Sequence, residues 1–115
     1  MALIPFDDRD GLIWMNGEMI PWRDARTHSL THALHYASQV FEGERAYSCK
    51  IFKSREHTER LRASCQYLDF DLPLGNEEFD AIKAQVLDAN DISDGYVRAF
   101  CWRGSEMMAI SAQET

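Results

Sequence analysis

The segment 31–47, THALHYASQVFEGERAY, constrains the fold more than any other part of the chain, because its pattern changes in the middle. The first half, THALHYASQ, favours a short helix, whereas VFEGERAY favours a β-strand. The same stretch concentrates histidine, tyrosine, glutamate and arginine side chains. A segment that changes period while it carries polar rings typically lines a site rather than filling a core. The sequence therefore predicts a helix-to-strand junction beside a functional site.

The bulk composition excludes several classes of protein. A length of 115 residues, 45% hydrophobic and 11% aromatic, predicts one globular domain with a modest core. A net charge of −7 disfavours nucleic acid as a partner, because an acidic chain repels phosphate backbones. No apolar run approaches the roughly 18 residues of a membrane span. The first residues, MALIPFDDRDG, carry acids where a signal peptide carries lysines.

The three cysteines, Cys49, Cys65 and Cys101, are widely spaced and form no CxxC motif. This spacing indicates neither a disulfide framework nor a zinc clip. We expect the reduced thiols of a cytoplasmic protein, which act as small hydrophobic residues in the core.

Strand and helix signals follow a polar segment, 1–11, that is expected to be flexible. Asn16-Gly17, between two β-prone runs, is a strong hairpin signal. Gly43 would allow a bulge or the close approach of a ligand. The predicted strands are 12–15, 18–21, 40–47, 51–53, 96–102 and 108–113. The predicted helices are 31–39, one from 54 to a loop at 69–75, and one from 76 to a break at 90–95.

This order of elements predicts the fold class. Strands neighbour strands through short links, which favours a mainly antiparallel sheet with helices on one face, an α+β two-layer domain. Thr31, Ser54 and Asn76 are the predicted N-caps. The predicted buried stripes are Leu61, Cys65 and Leu68 on the second helix and Phe79, Ile82 and Val86 on the third, with Arg55, Glu59 and Arg62 facing solvent.

The last residues, MMAISAQET, alternate in the manner of a strand at Met108, Ile110 and Ala112. Neither a final helix nor a charged tail follows them in this sequence. We therefore expect a domain cut from a longer chain.

Three histidines, His28, His32 and His35, would share one face if all were helical, and a pair four residues apart can bind zinc. However, Thr27-His28-Ser29 is typical of a loop, and no further ligand with a suitable context is nearby. The residues favour imidazoles that are hydrogen-bonded to the backbone and to neighbouring acids, and no metal site is predicted.

Arg98 stands out, because alternation in YVRAFCW places it with Tyr96 and Phe100 on one side of an apolar strand. An unpaired buried charge is unfavourable by several kcal/mol, so a bidentate carboxylate is the natural partner. That carboxylate is either internal, from Glu42 or Glu44, or part of a substrate, and the residues alone do not favour one over the other.

The remaining candidates have ordinary interpretations when the residues alone are considered. Arg60, on the second helix, is typical of a solvated charge. The pair Tyr36 and Phe41 is typical of a core more than of a pocket. No GxGxxG, P-loop, GxSxG or HExxH motif occurs. The residues alone thus indicate a cytoplasmic α+β domain with an unexplained strand arginine.

The segment THALHYASQVFEGERAY resembles the N-terminal signature of branched-chain amino acid aminotransferases, which are class IV (fold type IV) pyridoxal-phosphate enzymes. IWMNGEMIPWRDA, IFKSREHTERLRAS and GYVRAF resemble, in turn, the opening hairpin, the helix and the next strand of that family. The resemblance covers roughly residues 12 to 110. It implies that 12–115 form the N-terminal small domain, with pyridoxal 5'-phosphate as cofactor and with branched-chain L-amino acids and 2-oxoglutarate as substrates.

The resemblance also implies roles for individual residues. Arg60 matches an arginine that holds the cofactor phosphate. Tyr36 and Phe41 match rings of the substrate side-chain pocket, and Tyr96 and Arg98 match a pair that handles the substrate carboxylate. Ile110 stands near a loop position that closes the pocket of the partner subunit in a homodimer or higher homo-oligomer.

Three departures from the family pattern bear on substrate preference, namely Ala37 for glycine, Glu44 for an aliphatic residue and Ala99 for proline. Related class IV enzymes, the D-amino acid transaminases, aminodeoxychorismate lyases and (R)-amine transaminases, are alternatives, although HALHY and FEGERAY favour the branched-chain type.

Lysine placement predicts that the chain is incomplete as a catalyst. Transamination needs a lysine that forms a Schiff base, and Lys50, Lys53 and Lys83 all occupy ordinary turn, strand-end or helix-surface positions. The resemblance implies that the catalytic lysine lies in a second domain absent from these residues, so no catalytic residue is assigned and the chain alone is expected to be inactive. A non-catalytic binding or self-association module is the alternative from a different class.

Overall fold

The structure, a computed structural model, describes residues 3–106. It contains five strands and three α-helices within that range: β1 Leu12–Met15, β2 Glu18–Pro21, α1 His32–Tyr36, β3 Gln39–Tyr47, β4 Lys50–Ile51, α2 Ser54–Tyr67, α3 Asn76–Ala89 and β5 Gly95–Trp102. The predicted strand 108–113, with Ile110, lies outside the described residues. No helix in the described range is long and apolar enough to cross a membrane.

The strands form two antiparallel sheets rather than one. β1 and β2 make a hairpin of their own, and the other strands form a sheet in the order β4-β3-β5. The hairpin prediction is confirmed, because Asn16 and Gly17 both have positive φ, as a two-residue turn of this kind requires. Asn90 attaches the hairpin to the end of α3. Its side-chain Oδ1 accepts a hydrogen bond from the backbone N–H of Leu12, and its Nδ2 donates one to the backbone C=O of Leu12.

The helices α2 and α3 cover one face of the three-stranded sheet, as the α+β prediction requires. One core cluster consists of Leu61, Cys65, Leu72, Phe79 and Ala99, and a second consists of Ala46, Leu87 and Val97. All three cysteines are free thiols, but only Cys65 is buried and Cys49 is exposed, so the prediction of a core role is wrong for Cys49.

Several predicted helix boundaries are wrong for identifiable reasons. α1 ends at Tyr36 instead of residue 39, because Ala37 adopts the left-handed conformation with φ 56°. Lys53 and Gly75, not Ser54 and Asn76, are the N-cap residues of α2 and α3, and neither cap has a side-chain hydrogen bond. Thr31 does occupy the N-cap of α1, although its side chain makes no capping bond.

Two long side chains predicted to face solvent point inward instead. Arg62 is half-buried and donates to Asn76 Oδ1 at 3.0 Å, to Leu72 O at 3.2 Å and to Leu74 O, so it ties α2 to the following loop. The buried positions of α3 are Phe79, Lys83 and Leu87, so its stripe runs through Lys83 rather than Ile82 and Val86.

Candidate functional site

The outer face of the three-stranded sheet, opposite the helices, carries most of the predicted site residues. The register of β3 and β5 pairs Phe41 with Phe100 and Gly43 with Arg98, and it pairs Arg45 with Tyr96. All of these residues are exposed, whereas the residues between them are buried or half-buried. Strand alternation therefore gathers Phe41, Tyr96 and Arg98 into one exposed surface, hereafter the outer face.

Arg98 lies over an aromatic ring of this surface. Its guanidinium carbon is 3.8 Å from the centroid of the Phe41 ring, which is a close cation–π contact. Its Nη1 also donates a long hydrogen bond of 3.5 Å to the Tyr96 hydroxyl. No acidic side chain among residues 3–106 forms an ion pair with Arg98. The expectation of a buried strand arginine is wrong, because Arg98 is exposed and keeps its donors accessible.

Gly43 allows Tyr96 to lie across β3. A Cβ atom at position 43 would collide with the Tyr96 hydroxyl and would lie 3.0 Å from its Cζ. The pairing register continues through Gly43 without a bulge, and the group that approaches this glycine closely is the Tyr96 side chain. The Tyr96 hydroxyl thereby reaches Arg98. The predicted approach of a ligand stays a prediction.

Tyr36 sits at the end of α1, in the junction before β3. Its ring centroid is 4.5 Å from that of His32, and it is exposed. Hydrogen bonds of His32 anchor α1. Its backbone N–H donates to Gly104 O at 2.8 Å, and its ring Nδ1 is 2.6 Å from Ser38 Oγ. The departure at Ala37 has a conformational consequence, because a left-handed residue other than glycine is strained by roughly 1–2 kcal/mol.

The three histidines do not converge on a common point. His28 Nδ1 accepts from the Leu30 N–H at 3.0 Å, and His35 Nε2 is 2.7 Å from Ser29 O. Within the described part of the chain, no group of three potential ligands is close enough to hold a metal ion. The rings of His28 and His35 instead bind backbone groups, as predicted, and the ring of His32 contacts a hydroxyl group.

The inner face of β3, towards the helices, carries two buried carboxylates. Glu42 accepts two hydrogen bonds from Arg60, from Nε to Oε2 and from Nη2 to Oε1, both 2.8 Å long. His57 Nδ1 is 2.7 Å from Glu42 Oε1. The Arg60 bonds outweigh burial and, together with His57, hold the pKa of Glu42 below its usual value.

Arg60 itself projects from this pairing into solvent. Its side chain is 69% exposed, while that of Glu42 is only 4% exposed. The two bonds to Glu42 use Nε and Nη2, so Nη1 and the end of the guanidinium face outward. A planar guanidinium with a free edge suits a phosphate group, so the geometry fits the role that the family resemblance implies.

The second carboxylate, Glu44, was not expected to have a lysine partner. It is 2% exposed and accepts from Lys83 Nζ at 2.6 Å. Lys83 also donates to Ser54 O at 3.0 Å. Burial raises the pKa of Glu44 despite the ammonium group, and its Oε2 atom is buried without a hydrogen-bond partner in the described structure. The prediction that Lys83 lies on the helix surface is therefore wrong. The one sequence signal for its burial was Glu44, a charged residue at a position where the family pattern has an aliphatic one.

These pairings bear on the alternatives left open for Arg98. Glu42 and Glu44 point to the inner face and bind Arg60 and Lys83. Arg98 points to the outer face. An internal salt bridge from Arg98 to either carboxylate is therefore absent from the described residues. Arg60 thus pairs with a carboxylate of the inner face, whereas Phe41, Tyr96 and Arg98 are on the outer face.

Comparison with known proteins gives a consistent family. The sequence model of the family described as Amino-transferase class IV matches residues 39–115. The probable branched-chain-amino-acid aminotransferase of Rickettsia bellii (strain RML369-C) is 47% identical over 98 residues, which are 85% of this chain and 34% of that protein. The chain thus spans about a third of the length of the curated relatives it matches.

Solved structures agree with the sequence relatives. The crystal structure of Escherichia coli branched-chain amino acid aminotransferase superposes with a TM-score of 0.87 and 33% identity, over 92% of this chain and 36% of that one. The T.th. branched-chain amino acid aminotransferase complexed with N-(5'-phosphopyridoxyl)-L-glutamate superposes with a TM-score of 0.86 and 36% identity, over 91% of this chain and 37% of that one.

Proposed function

Because this chain belongs to the class IV aminotransferase family, we propose that it forms the small domain of a pyridoxal-phosphate enzyme. The reaction is transfer of the amino group between branched-chain L-amino acids and 2-oxoglutarate. The names of the relatives support this reaction, and so does the neighbour complexed with a phosphopyridoxyl derivative of glutamate. Since the chain spans about a third of those proteins, the activity is proposed for the longer protein and not for these residues alone.

The cofactor, when bound, supplies an electron sink for bond breaking at the amino acid Cα. Arg60 would hold its phosphate, since the outward edge of the guanidinium can donate to phosphate oxygens while the inner edge stays on Glu42. The role of Arg60 in this chain is to fix the cofactor in position, which favours reaction by orientation rather than by proton transfer.

One observation carries the proposal for the substrate: Arg98 rests on Phe41, without a carboxylate partner among residues 3–106. This juxtaposition offers an apolar ring and a cation at the same place. An aliphatic side chain buried against Phe41 and Tyr36 would gain about 1.5–3 kcal/mol. The distal carboxylate of 2-oxoglutarate would instead bind Arg98, by a charge-assisted bond that contributes about 1.5–3 kcal/mol. Tyr96 would orient Arg98 and assist with the carboxylate.

No lysine of this chain is assigned the role of the reactive amine. Lys83 is bound to Glu44 in the interior, and Lys53 lies beside Glu56 on α2. Lys50 is at the β3–β4 end of the sheet. We propose that the lysine belongs to a second domain, that the enzyme is cytoplasmic and forms a homodimer or higher homo-oligomer, and that Ile110 helps to close the pocket of the partner subunit.

The test is direct amino transfer. The protein translated from the complete gene, mixed with pyridoxal phosphate, leucine and 2-oxoglutarate, should form glutamate. The 115-residue chain alone, in the same assay, should form none. Turnover by the short chain would contradict the assignment of the reactive amine, and failure of the complete protein with leucine, isoleucine and valine would contradict the reaction. Turnover with D-amino acids, aminodeoxychorismate or amines instead would indicate another class IV enzyme.

The exposed aromatic character of the outer face supports a second candidate, a module that associates with itself. Phe41, Tyr47, Tyr96 and Phe100 are all exposed on that surface, and large exposed apolar patches often mark interaction sites. Sedimentation of the 115-residue chain distinguishes the candidates. A stable dimer that is disrupted by Phe100→Lys, with no aminotransferase activity in the complete gene product, would favour the module.

A further inference from the structure

The Arg60 cluster consists of Arg60, Glu42 and His57. In this cluster the side chain of Arg60 is held in place by other residues, which phosphate binding by Arg60 alone does not require. Arginine side chains at a surface are long and adopt many rotamers. Here the exposed guanidinium is held at two nitrogens by a carboxylate that is itself only 4% exposed. The position of Arg60 is therefore set from inside the domain.

His57 in turn fixes the carboxylate. Its Nδ1 is 2.7 Å from Oε1 of Glu42, the same oxygen that accepts from Arg60 Nη2. An ionised carboxylate has no proton to donate, so the bond requires a proton on His57 Nδ1. Because Glu42 extends from β3 and both His57 and Arg60 extend from α2, the three side chains connect the sheet to the helix at this point.

We propose that Glu42 is a positioning residue for Arg60, with His57 as its support, and that it sets the affinity of the enzyme for the phosphate of the cofactor. This inference rests on the proposed function, because it assumes that Arg60 binds that phosphate. Holding a flexible side chain in its bound geometry before binding increases affinity, since the freedom has already been lost.

An opposing effect makes the role of Glu42 testable. A carboxylate near a phosphate repels it, so Glu42 would weaken binding if only its charge mattered. Positioning and charge can be separated by two substitutions. Glu42→Asp keeps the charge but withdraws the carboxylate by one methylene, and it breaks the two bonds of 2.8 Å to Arg60. Glu42→Gln keeps the length and one acceptor but removes the charge.

The experiment measures dissociation constants of the complete enzyme, first freed of cofactor, for pyridoxal phosphate and for pyridoxal, which lacks the phosphate. Glu42→Asp should weaken pyridoxal phosphate about tenfold, which corresponds to about 1.4 kcal/mol, and should leave pyridoxal unchanged. Glu42→Gln should weaken pyridoxal phosphate less than Glu42→Asp does. His57→Phe, which removes only the support, should cause a smaller loss of the same phosphate-selective kind.

Glu44→Asp is the matched control, because it shortens a buried carboxylate two residues further along the same strand that binds Lys83 instead of Arg60. It should alter the ratio of the two dissociation constants by less than about twofold. The positioning role is refuted if Glu42→Asp weakens both ligands equally, if it weakens neither, or if Glu42→Gln tightens pyridoxal phosphate while Glu42→Asp has no effect. Should Glu42→Asp fail to fold, the His57→Phe ratio decides in the same way.

Arg60→Ala separates this inference from the function on which it rests. If the unsubstituted enzyme does not prefer pyridoxal phosphate to pyridoxal, or if Arg60→Ala leaves that preference intact, the proposed phosphate site is wrong. If Arg60→Ala abolishes the preference and Glu42→Asp does not reduce it, the phosphate site stands and only the positioning role fails.

Discussion

The two faces of the three-stranded sheet carry charged side chains in opposite situations. On the inner face, Glu42 and Glu44 are buried and each accepts hydrogen bonds from a cation of a neighbouring helix. On the outer face, Arg98 of β5 is exposed beside Phe41 and has no acidic partner in the part of the chain that the structure describes. One strand therefore separates charges that are satisfied within the fold from a charge that is available to a ligand.

The difference predicts which substitutions alter stability and which alter substrate use. A buried charge must be paired, since leaving one partner alone is strongly destabilising. An exposed arginine against an aromatic ring is solvated without an acidic partner, and its donors can bind a carboxylate. We therefore expect inner-face substitutions to change the free energy of unfolding and outer-face substitutions to change substrate use.

The largest expected effect is on the inner face. Lys83→Met would leave the Glu44 carboxylate, 2% exposed, without its cation. The free energy of unfolding, measured by urea denaturation, should fall by about 3–5 kcal/mol. The control is the double variant Glu44→Leu with Lys83→Met, which replaces the pair by apolar groups and should recover most of the loss. A single variant that loses less than about 1 kcal/mol would show that the pair is unimportant for folding.

A smaller effect is expected from the outer face at Gly43. Gly43→Ala would displace the Tyr96 ring, whose Cζ would lie 3.0 Å from the new methyl group. In the complete enzyme, kcat/KM for 2-oxoglutarate should fall about tenfold, or about 1.4 kcal/mol. The free energy of unfolding should change by less than about 1 kcal/mol. Tyr96→Ala tests the mechanism, because adding Gly43→Ala to it should cause no further loss; an additive loss would mean that Gly43 acts independently of Tyr96.

The pH dependence of stability should distinguish the two inner-face carboxylates. Arg60 lowers the pKa of Glu42, so ionised Glu42 stabilises the folded state. This contribution to the free energy of unfolding is complete above the unfolded-state pKa of about 4.3 and is lost as the pH falls through the folded-state pKa. Burial raises the pKa of Glu44, so the protonated form of Glu44 is the one that the folded state favours. Its contribution to the free energy of unfolding is present at low pH and is lost as the pH rises through the folded-state pKa.

Urea denaturation between roughly pH 3 and pH 7 measures both slopes. Glu42→Gln should reduce the loss of unfolding free energy towards acid pH, and Glu44→Gln should make that loss steeper. Parallel curves for the two variants would contradict the assignment of opposite pKa shifts.

The smallest effect is expected at Arg45, which follows Glu44 in sequence but points to the outer face. Arg45→Gln should change the free energy of unfolding by no more than about 0.5 kcal/mol, because exposed positions of this kind are usually neutral. Thermal unfolding with Arg45→Lys as the conservative comparison measures this. A loss similar to that of Lys83→Met would remove the distinction between the faces.

Local sequence patterns were sufficient to predict the architecture. The Asn16-Gly17 turn, the antiparallel pairing and the alternation that places Arg98 with Tyr96 and Phe100 on one side of β5 all follow from residues close together in the chain, whereas the exposure of Arg98 was not predicted. The grouping of helices on one face was predicted correctly from the order of elements. The assignment of the outer-face residues and of Arg60 to a site depended on the family resemblance, and their roles stay predictions.

Most of the wrong predictions concern side chains whose positions depend on residues far away in the sequence. Lys83 is buried because it reaches Glu44 on another element, and the spacing of apolar residues in α3 does not reveal that partner. Arg62 turns inward because the carbonyl groups of Leu72 and Leu74 accept its hydrogen bonds. α1 is short because Ala37 adopts the left-handed conformation, and an alanine in the sequence does not predict that conformation. Long polar side chains with distant acceptors are thus the part of the fold that local patterns predict least well.

We propose that Arg98 serves a substrate carboxylate and not the fold, and Arg98→Ala in the complete enzyme tests this role most directly. The two half-reactions should be measured separately, with leucine and with 2-oxoglutarate. The account predicts that kcat/KM for 2-oxoglutarate falls by about 10- to 100-fold, which corresponds to about 1.4–2.7 kcal/mol, while that for leucine changes by less than about threefold. Equal losses with both substrates, or a loss of unfolding free energy comparable to that of Lys83→Met, would contradict it.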